Sequence, residues 1–60
     1  MTKLLYVVAI SQKEAEDIAE EAGFRTKAMA SERLREVQAP PTDPYYAAQY
    51  RIYTVERESK

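Results

Sequence analysis

Carboxylates form the densest group of chemically active side chains in this sequence. Residues 12–22 hold five acidic residues against one lysine, a net charge of −4; the acidic residues are Glu14, Glu16, Asp17, Glu20 and Glu21. Carboxylates act in general acid–base catalysis where their surroundings shift their pKa, and the outer faces of a helix lack such surroundings. A solvated helix face is therefore favoured over catalysis. As a binding feature, it predicts a secondary acidic contact for a basic partner at Glu14, Asp17, Glu20 and Glu21.

Tyrosine is the second concentrated residue type. Four of the five tyrosines lie between positions 45 and 53, and an arginine lies among them. Tyrosine and arginine are enriched at the energetically dominant positions of protein interfaces, and they also stack on bases and contact phosphates in single-strand binders. The predicted protein-binding residues are Tyr45, Tyr46, Tyr50, Arg51 and Tyr53. In the alternative interpretation, Tyr50 or Tyr53 covers a helix, and Tyr45 and Tyr46 pack back onto the domain from a loop.

Ser11, Gln12 and Lys13 follow the first predicted strand and open the first predicted helix. Helix N-termini attract anions, so a small phosphate site is conceivable at this position. Phosphate loops need glycines, however, and Gly23 is the only glycine in the chain. A helix cap with a solvated lysine is the favoured interpretation.

Missing residue types exclude most site chemistry. The chain has no histidine and no cysteine, which removes Ser–His and Cys–His nucleophile systems, disulfides and iron–sulfur clusters. A zinc site would have to consist of carboxylates alone. With one glycine, neither a P-loop nor a G-x-G-x-x-G loop can exist. The sequence predicts a protein without catalytic residues, metal or cofactor.

Composition predicts a single small soluble domain over residues 1–60, with a frayed end near 59–60. The 60 residues are 45% apolar and 32% charged, with a net charge of −1. This charge gives no strong attraction to nucleic acid or to an anionic membrane. The apolar run Leu4–Ile10 is too short to span a bilayer, and it lacks the small-residue site that follows a signal peptide. We predict a cytoplasmic protein without a membrane partner.

The first two elements have clear patterns. Residues 3–10 are apolar on both alternating faces, which is typical of a central strand covered on both sides. Ser11 and Glu14 fit a capping box at the start of a helix over residues 12–22. That helix has an apolar stripe at Ala15, Ile18, Ala19 and Ala22, and Gly23 follows it at the position where a left-handed residue commonly ends a helix.

The second half of the chain allows two interpretations. Alternation over residues 24–30 favours a short strand, followed by a helix over 32–38 capped by Ser31, whereas helix propensity favours one helix from Thr26 through Gln38. Three prolines make residues 38–44 a loop. Residues 49–56 have the composition of an edge strand protected by charge.

The preferred fold is a small α/β domain of order β-α-β-α-β. Its three-stranded sheet has the strand order 2-1-3, and right-handed crossovers place the two helices on opposite faces. The alternative is β-α-α-β, with a two-stranded sheet and both helices on one face. In that arrangement the first strand would leave an apolar face that a dimer would have to cover.

The functional prediction is a non-enzymatic protein–protein interaction module. In size, and in its lack of catalytic residues, the chain resembles the short accessory proteins of phages and mobile elements, many of which bind and modulate one larger host protein. The predicted partner is another protein or a second copy of the chain. The alternative is a small nucleic-acid-binding protein that uses the tyrosines and arginine of the last strand.

Overall fold

The computed structural model describes residues 1–58, so the predicted frayed end lies outside the described residues. The described chain is a small α/β fold with the elements β1 (Thr2–Ala9), α1 (Gln12–Ala22), α2 (Lys27–Gln38), α3 (Pro44–Ala47) and β2 (Arg51–Glu58). The two strands form one antiparallel sheet. Apart from the short helix α3, this order is that of the alternative prediction, β-α-α-β.

Strand β1 has neighbours on both edges, as expected of a central strand. On one edge it pairs with β2, with Leu5 opposite Val55 and Val7 opposite Tyr53. On the other edge the backbone of Tyr6 exchanges two hydrogen bonds of 2.8 Å with Phe24. The contact at Phe24 is an isolated bridge and not a strand.

Residues 25–30 differ from the preferred prediction. Instead of continuing along β1, the chain turns into α2, whose N-cap is Thr26 rather than Ser31. The Thr26 Oγ1 accepts a hydrogen bond from the Met29 backbone N–H at 3.3 Å. The Ala-Met-Ala run that follows Lys27 favours helix over strand, and local propensity therefore prevails over the alternating pattern.

The main core lies between α1 and one face of the sheet. It consists of Leu5, Val7 and Ala9 from β1 together with Ala15, Ala19 and Val55. Ile18 and Tyr53 pack against it, so most of the predicted apolar stripe of α1 is confirmed. Across residues 1–58, five of the eight buried apolar residues are alanine, and Val7 is the largest side chain that is fully buried. The core is consequently small in volume.

Helix α1 has the predicted bounds. The Ser11 Oγ accepts a hydrogen bond from the Glu14 backbone N–H at 3.2 Å, as the capping prediction required. The prediction for Gly23 was wrong in its conformation, since its φ of −77° is extended and not left-handed. Glycine is needed there for close approach: a Cβ would contact the Ala19 carbonyl oxygen, and it would lie 3.0 Å from two Leu5 side-chain atoms.

Candidate functional site: the tyrosine surface

Helix α3 presents the first two tyrosines. Its N-cap Asp43 accepts a hydrogen bond from the Tyr45 backbone N–H at 2.8 Å, and Pro44 occupies the first turn. The sequence analysis placed a loop up to Pro44 and missed this helix. The signal was present, because an acidic N-cap residue followed by proline is a helix-start pattern.

Two side chains anchor α3 to the rest of the domain. Ala47 is buried, and its carbonyl oxygen accepts a hydrogen bond from the Gln38 side-chain amide at 3.1 Å. The Gln49 side-chain amide donates to the Tyr45 carbonyl oxygen at 3.2 Å. The short helix is therefore tied to the end of α2 and to the residues that lead into β2.

Tyr45 and Tyr46 are the most exposed aromatic residues of the described chain. Their exposed fractions are 72% and 60%. The ring centroids lie 5.5 Å apart with an interplanar angle of 81°, an edge-to-face arrangement. Such pairs gain stability from the ring quadrupoles, so the two rings order each other while both remain open to solvent.

The other predicted binding residues differ in how far they are buried. Tyr53 packs on the main core, and its hydroxyl donates a 3.4 Å hydrogen bond to the Ile10 carbonyl oxygen. Tyr50 is half-buried, and its backbone N–H donates to the Ala47 carbonyl oxygen at 3.3 Å. Arg51 is exposed at the start of β2. Tyr53 therefore lies partly inside the domain, whereas Arg51 is open to a partner.

Ile10 is a further apolar residue at this end, and the sequence analysis assigned it only to the first strand. Strand β1 ends one residue earlier, at Ala9, which pairs with Arg51. Ile10 is left 46% exposed. Because Ala9 pairs with Arg51, Ile10 lies at the same end of the sheet as Tyr50. The Arg51 side chain shares the face of its partner Ala9, which is the face that α1 covers. Ile10, Tyr45, Tyr46 and Tyr50 are called the tyrosine surface below.

The predicted acidic contact lies on α1. Asp17, Glu20 and Glu21 are exposed, and Glu14 is half-buried in the first turn. Two side-chain hydrogen bonds tie this helix to β2: the Gln12 side-chain amide donates to the Thr54 carbonyl oxygen, and the Arg57 guanidinium donates to the Glu16 carbonyl oxygen. The structure thus holds the acidic side chains on a fixed and solvated face.

A groove of about 180 Å³ opens between α1 and α2. Its lining is mostly apolar and comprises Val8, Ile18, Ala22, Phe24, Arg33, Val37 and Tyr50. The one charged lining residue, Arg33, forms a 3.2 Å ion pair with Glu36 on the outside of α2. The groove shares only Tyr50 with the tyrosine surface.

Residues 1–58 contain no cluster of three or more acidic residues placed to hold a metal ion. Among the helices of this part, none combines the length and apolar character needed to cross a bilayer. Comparison with known proteins found no matching family model, no matching curated protein and no matching solved structure.

Proposed function

We propose that this protein is a non-enzymatic binding module that recognises another protein through the tyrosine surface. The observation that carries the proposal is the exposed edge-to-face pair of Tyr45 and Tyr46, presented on an anchored helix. Large aromatic side chains are usually buried, either by the rest of the fold or by a binding partner. Here α3 fixes their backbone, yet leaves both rings in solvent.

Rigid aromatic contacts suit protein recognition. Tyrosine supplies a large amphipathic area with only two side-chain torsions to restrict, so its ordering on binding costs little entropy. Arg51 adds a charged group that forms no ion pair within residues 1–58. Tyrosine and arginine are the residue types that most often dominate interface energetics. The acidic face of α1 would serve as the secondary contact.

The test is capture of a partner by variant pairs. The full chain is immobilised as wild type, as Tyr45→Ala/Tyr46→Ala, and as the control Arg25→Ala/Lys27→Ala, whose two exposed side chains belong to neither proposed contact. Each variant must keep the wild-type circular dichroism spectrum. Loss of a stoichiometric protein only with the tyrosine pair would support the proposal. Equal capture by all three proteins would refute binding through this surface.

A nucleic-acid interface is the second candidate, because exposed tyrosine rings and an exposed arginine can stack on bases and contact phosphate. The net charge of −4 on residues 12–22 opposes it. Phosphate contacts are strongest at low salt. Lack of binding to single-stranded oligonucleotides at about 50 mM salt would eliminate this candidate.

We also propose the cytoplasm as the site of action and a larger protein, or a second copy, as the partner. The absence of cysteine from the sequence supports a reducing compartment. The small size supports an accessory role, in which binding modulates a larger protein that performs the chemistry.

We infer in addition that α1 and α2 cover opposite faces of the sheet. Supporting this, Ala30 of α2 is fully buried but lies outside the cluster that α1 forms with Leu5, Val7 and Ala9. The residues on the other face of the sheet, Tyr6, Val8 and Ile52, are half-buried rather than bare. With both faces partly covered, Ile10 at the end of β1 and the two rings on α3 are among the apolar groups that remain exposed.

A further inference from the structure

We propose that the outer edge of β2, the edge that does not pair with β1, binds an extended segment of a different protein as an added strand. This inference goes beyond the proposed function, because it concerns a second surface and specifies the conformation and charge pattern of the segment that binds there. The open backbone groups of this edge support it, as does the separation of charge between the two faces of β2.

The hydrogen bonds of β1 show which backbone groups of β2 point outward. The Tyr6 N–H and C=O bond to Phe24 on the far edge of β1, so Tyr6 and its partner Thr54 form a non-hydrogen-bonded pair. The backbone groups of Thr54 therefore point away from β1. Those of Ile52 and Glu56, two residues before and after it, point the same way.

This outer edge is open over most of its length. The Gln12 side-chain amide donates to the Thr54 carbonyl oxygen at 3.2 Å. Within residues 1–58, no other hydrogen bond uses the outward N–H and C=O groups of β2. Thr54 and Glu56 are exposed, and Ile52 is half-buried. An open edge of this kind can bind an extended peptide, because the main chain of the peptide completes the hydrogen-bond ladder.

The charged side chains of β2 are separated by sign between its two faces. Side chains alternate along a strand, so the face of the core residue Val55 carries the basic residues Arg51 and Arg57. The opposite face carries the acidic residues Glu56 and Glu58. None of these four charged residues forms an ion pair within residues 1–58. Since opposite charges on opposed residues stabilise a strand pair, the matching segment has acidic residues on the α1 side and basic residues on the other side.

The same separation of charge disfavours a second copy at this edge. In a dimer with two-fold symmetry, the two β2 strands would pair in antiparallel directions, and opposed residues would come from the same face of each copy. The arginines could then oppose only residues of the basic face, and the glutamates only residues of the acidic face. No pair of opposite sign could form, whereas a segment of complementary alternation forms such pairs along the strand.

Two synthetic peptides test the proposal on the isotopically labelled full chain. The charged peptide, acetyl-Lys-Glu-Lys-Val-Thr-Val-Thr-Glu-amide, opposes every charge of β2 when it pairs antiparallel from Glu58 to Arg51. In the control peptide, serine replaces each lysine and glutamate. At about 50 mM salt, where screening is weak, we expect the charged peptide to have a dissociation constant at least tenfold lower. Binding should also slow the hydrogen exchange of the Ile52, Thr54 and Glu56 amides.

The variant Thr54→Pro distinguishes main-chain pairing from charge attraction alone. It removes an outward N–H from the middle of the edge, whereas Tyr53 and Val55 keep their hydrogen bonds to β1. Binding of the charged peptide should be lost, with an unchanged circular dichroism spectrum.

A charge variant keeps the test valid if proline disturbs the strand. Arg51→Glu/Glu56→Lys retains every backbone group, and its affinity for the charged peptide should fall to that of the serine peptide. The matched control Glu21→Lys/Lys27→Glu exchanges two exposed charges on α1 and α2, and it should bind like wild type.

Several results would overturn the proposal: no binding at millimolar peptide, equal affinity for the charged and the serine peptide, or binding without protection of the outward amides. Protection of these amides that rises with protein concentration alone would also overturn it, because a second copy would then occupy the edge. The proposed function is tested separately, since none of these variants alters Tyr45 or Tyr46.

Discussion

At Gly23 the chain passes between helix α1 and strand β1 with no space for a side chain. The Ala19 carbonyl oxygen accepts a hydrogen bond from the Gly23 backbone N–H at 2.9 Å. The Leu5 side chain also lies against Gly23. The glycine pattern in the sequence indicated the right residue for a helix end. Glycine is needed there because it has no Cβ, and not because its φ is positive. The close approach comes from Leu5 of β1, and the sequence around Gly23 does not show where that strand lies.

The first prediction is that Gly23→Ala destabilises the domain by about 1–3 kcal/mol, the range for overpacking a tight site. The new methyl group would contact backbone oxygen, which cannot move without shifting the end of α1. Urea unfolding at unchanged m-value measures the loss. Ala28→Ser, which adds one atom at an exposed position of α2, should remain within about 0.5 kcal/mol of wild type. A variant as stable as wild type would show that the close approach at Gly23 is absent.

Tyr53 and Tyr46 have opposite roles although both belong to the predicted binding set. Tyr53 packs on the core, whereas Tyr46 is largely in solvent. We predict that Tyr53→Ala lowers the free energy of unfolding by about 2 kcal/mol, less than full burial would give. Tyr46→Ala should change the monomer's stability by less than about 0.5 kcal/mol. Urea unfolding at low micromolar concentration compares them, and equal losses would contradict the assignment of Tyr53 to the core.

The N-cap of helix α2 is Thr26, whereas the preferred sequence-based prediction placed the cap at Ser31. The backbone of Thr26 is extended, with φ −125° and ψ 150°, as an N-cap requires. The first turn contains no acidic residue to interact with the helix dipole. The start of α2 therefore depends strongly on the Thr26 cap.

We predict that Thr26→Ala lowers the free energy of unfolding by about 1 kcal/mol, the typical effect of losing an N-cap side chain. Ser31 lies one turn inside the helix, so the matched variant Ser31→Ala should be neutral or slightly stabilising, because alanine has the higher helix propensity. Thermal and urea unfolding of the two variants measure the difference. The reverse order of stability would mean that the helix begins at Ser31, with residues 25–30 outside it.

The sequence predicts elements well where local and tertiary signals agree. Helix α1 has both a cap and an apolar stripe, and its bounds follow from residues 11–22 alone. Residues 25–30 carry alternation and helix propensity at once; helix propensity prevails, and the burial of Ala30 on α2 adds a tertiary contact that the local sequence does not show. The tyrosine surface could be predicted only as a composition, because which rings are covered depends on α3 and on the end of β1. Ile10 joins the surface for the same reason.

At the scale of the whole molecule, the small core limits the stability of the fold. Five of the eight buried apolar residues within residues 1–58 are alanine, and Val7 is the largest side chain that is fully buried. A domain that buries so little apolar volume has a small free energy of unfolding. Removal of one large core side chain should therefore take away a large share of that free energy.

The final prediction is that Val7→Ala lowers the free energy of unfolding by about 2 kcal/mol, because it removes two buried methyl groups and leaves a cavity among small neighbours. Leu4→Ala removes more atoms from the same strand, but at a position that is 42% exposed, so it should cost less than about 1 kcal/mol. Urea unfolding of the two variants at unchanged m-value measures the difference. A loss at Val7 as small as the loss at Leu4 would show that the face of the sheet against α1 is not the main core, and that the stability of the chain has another source.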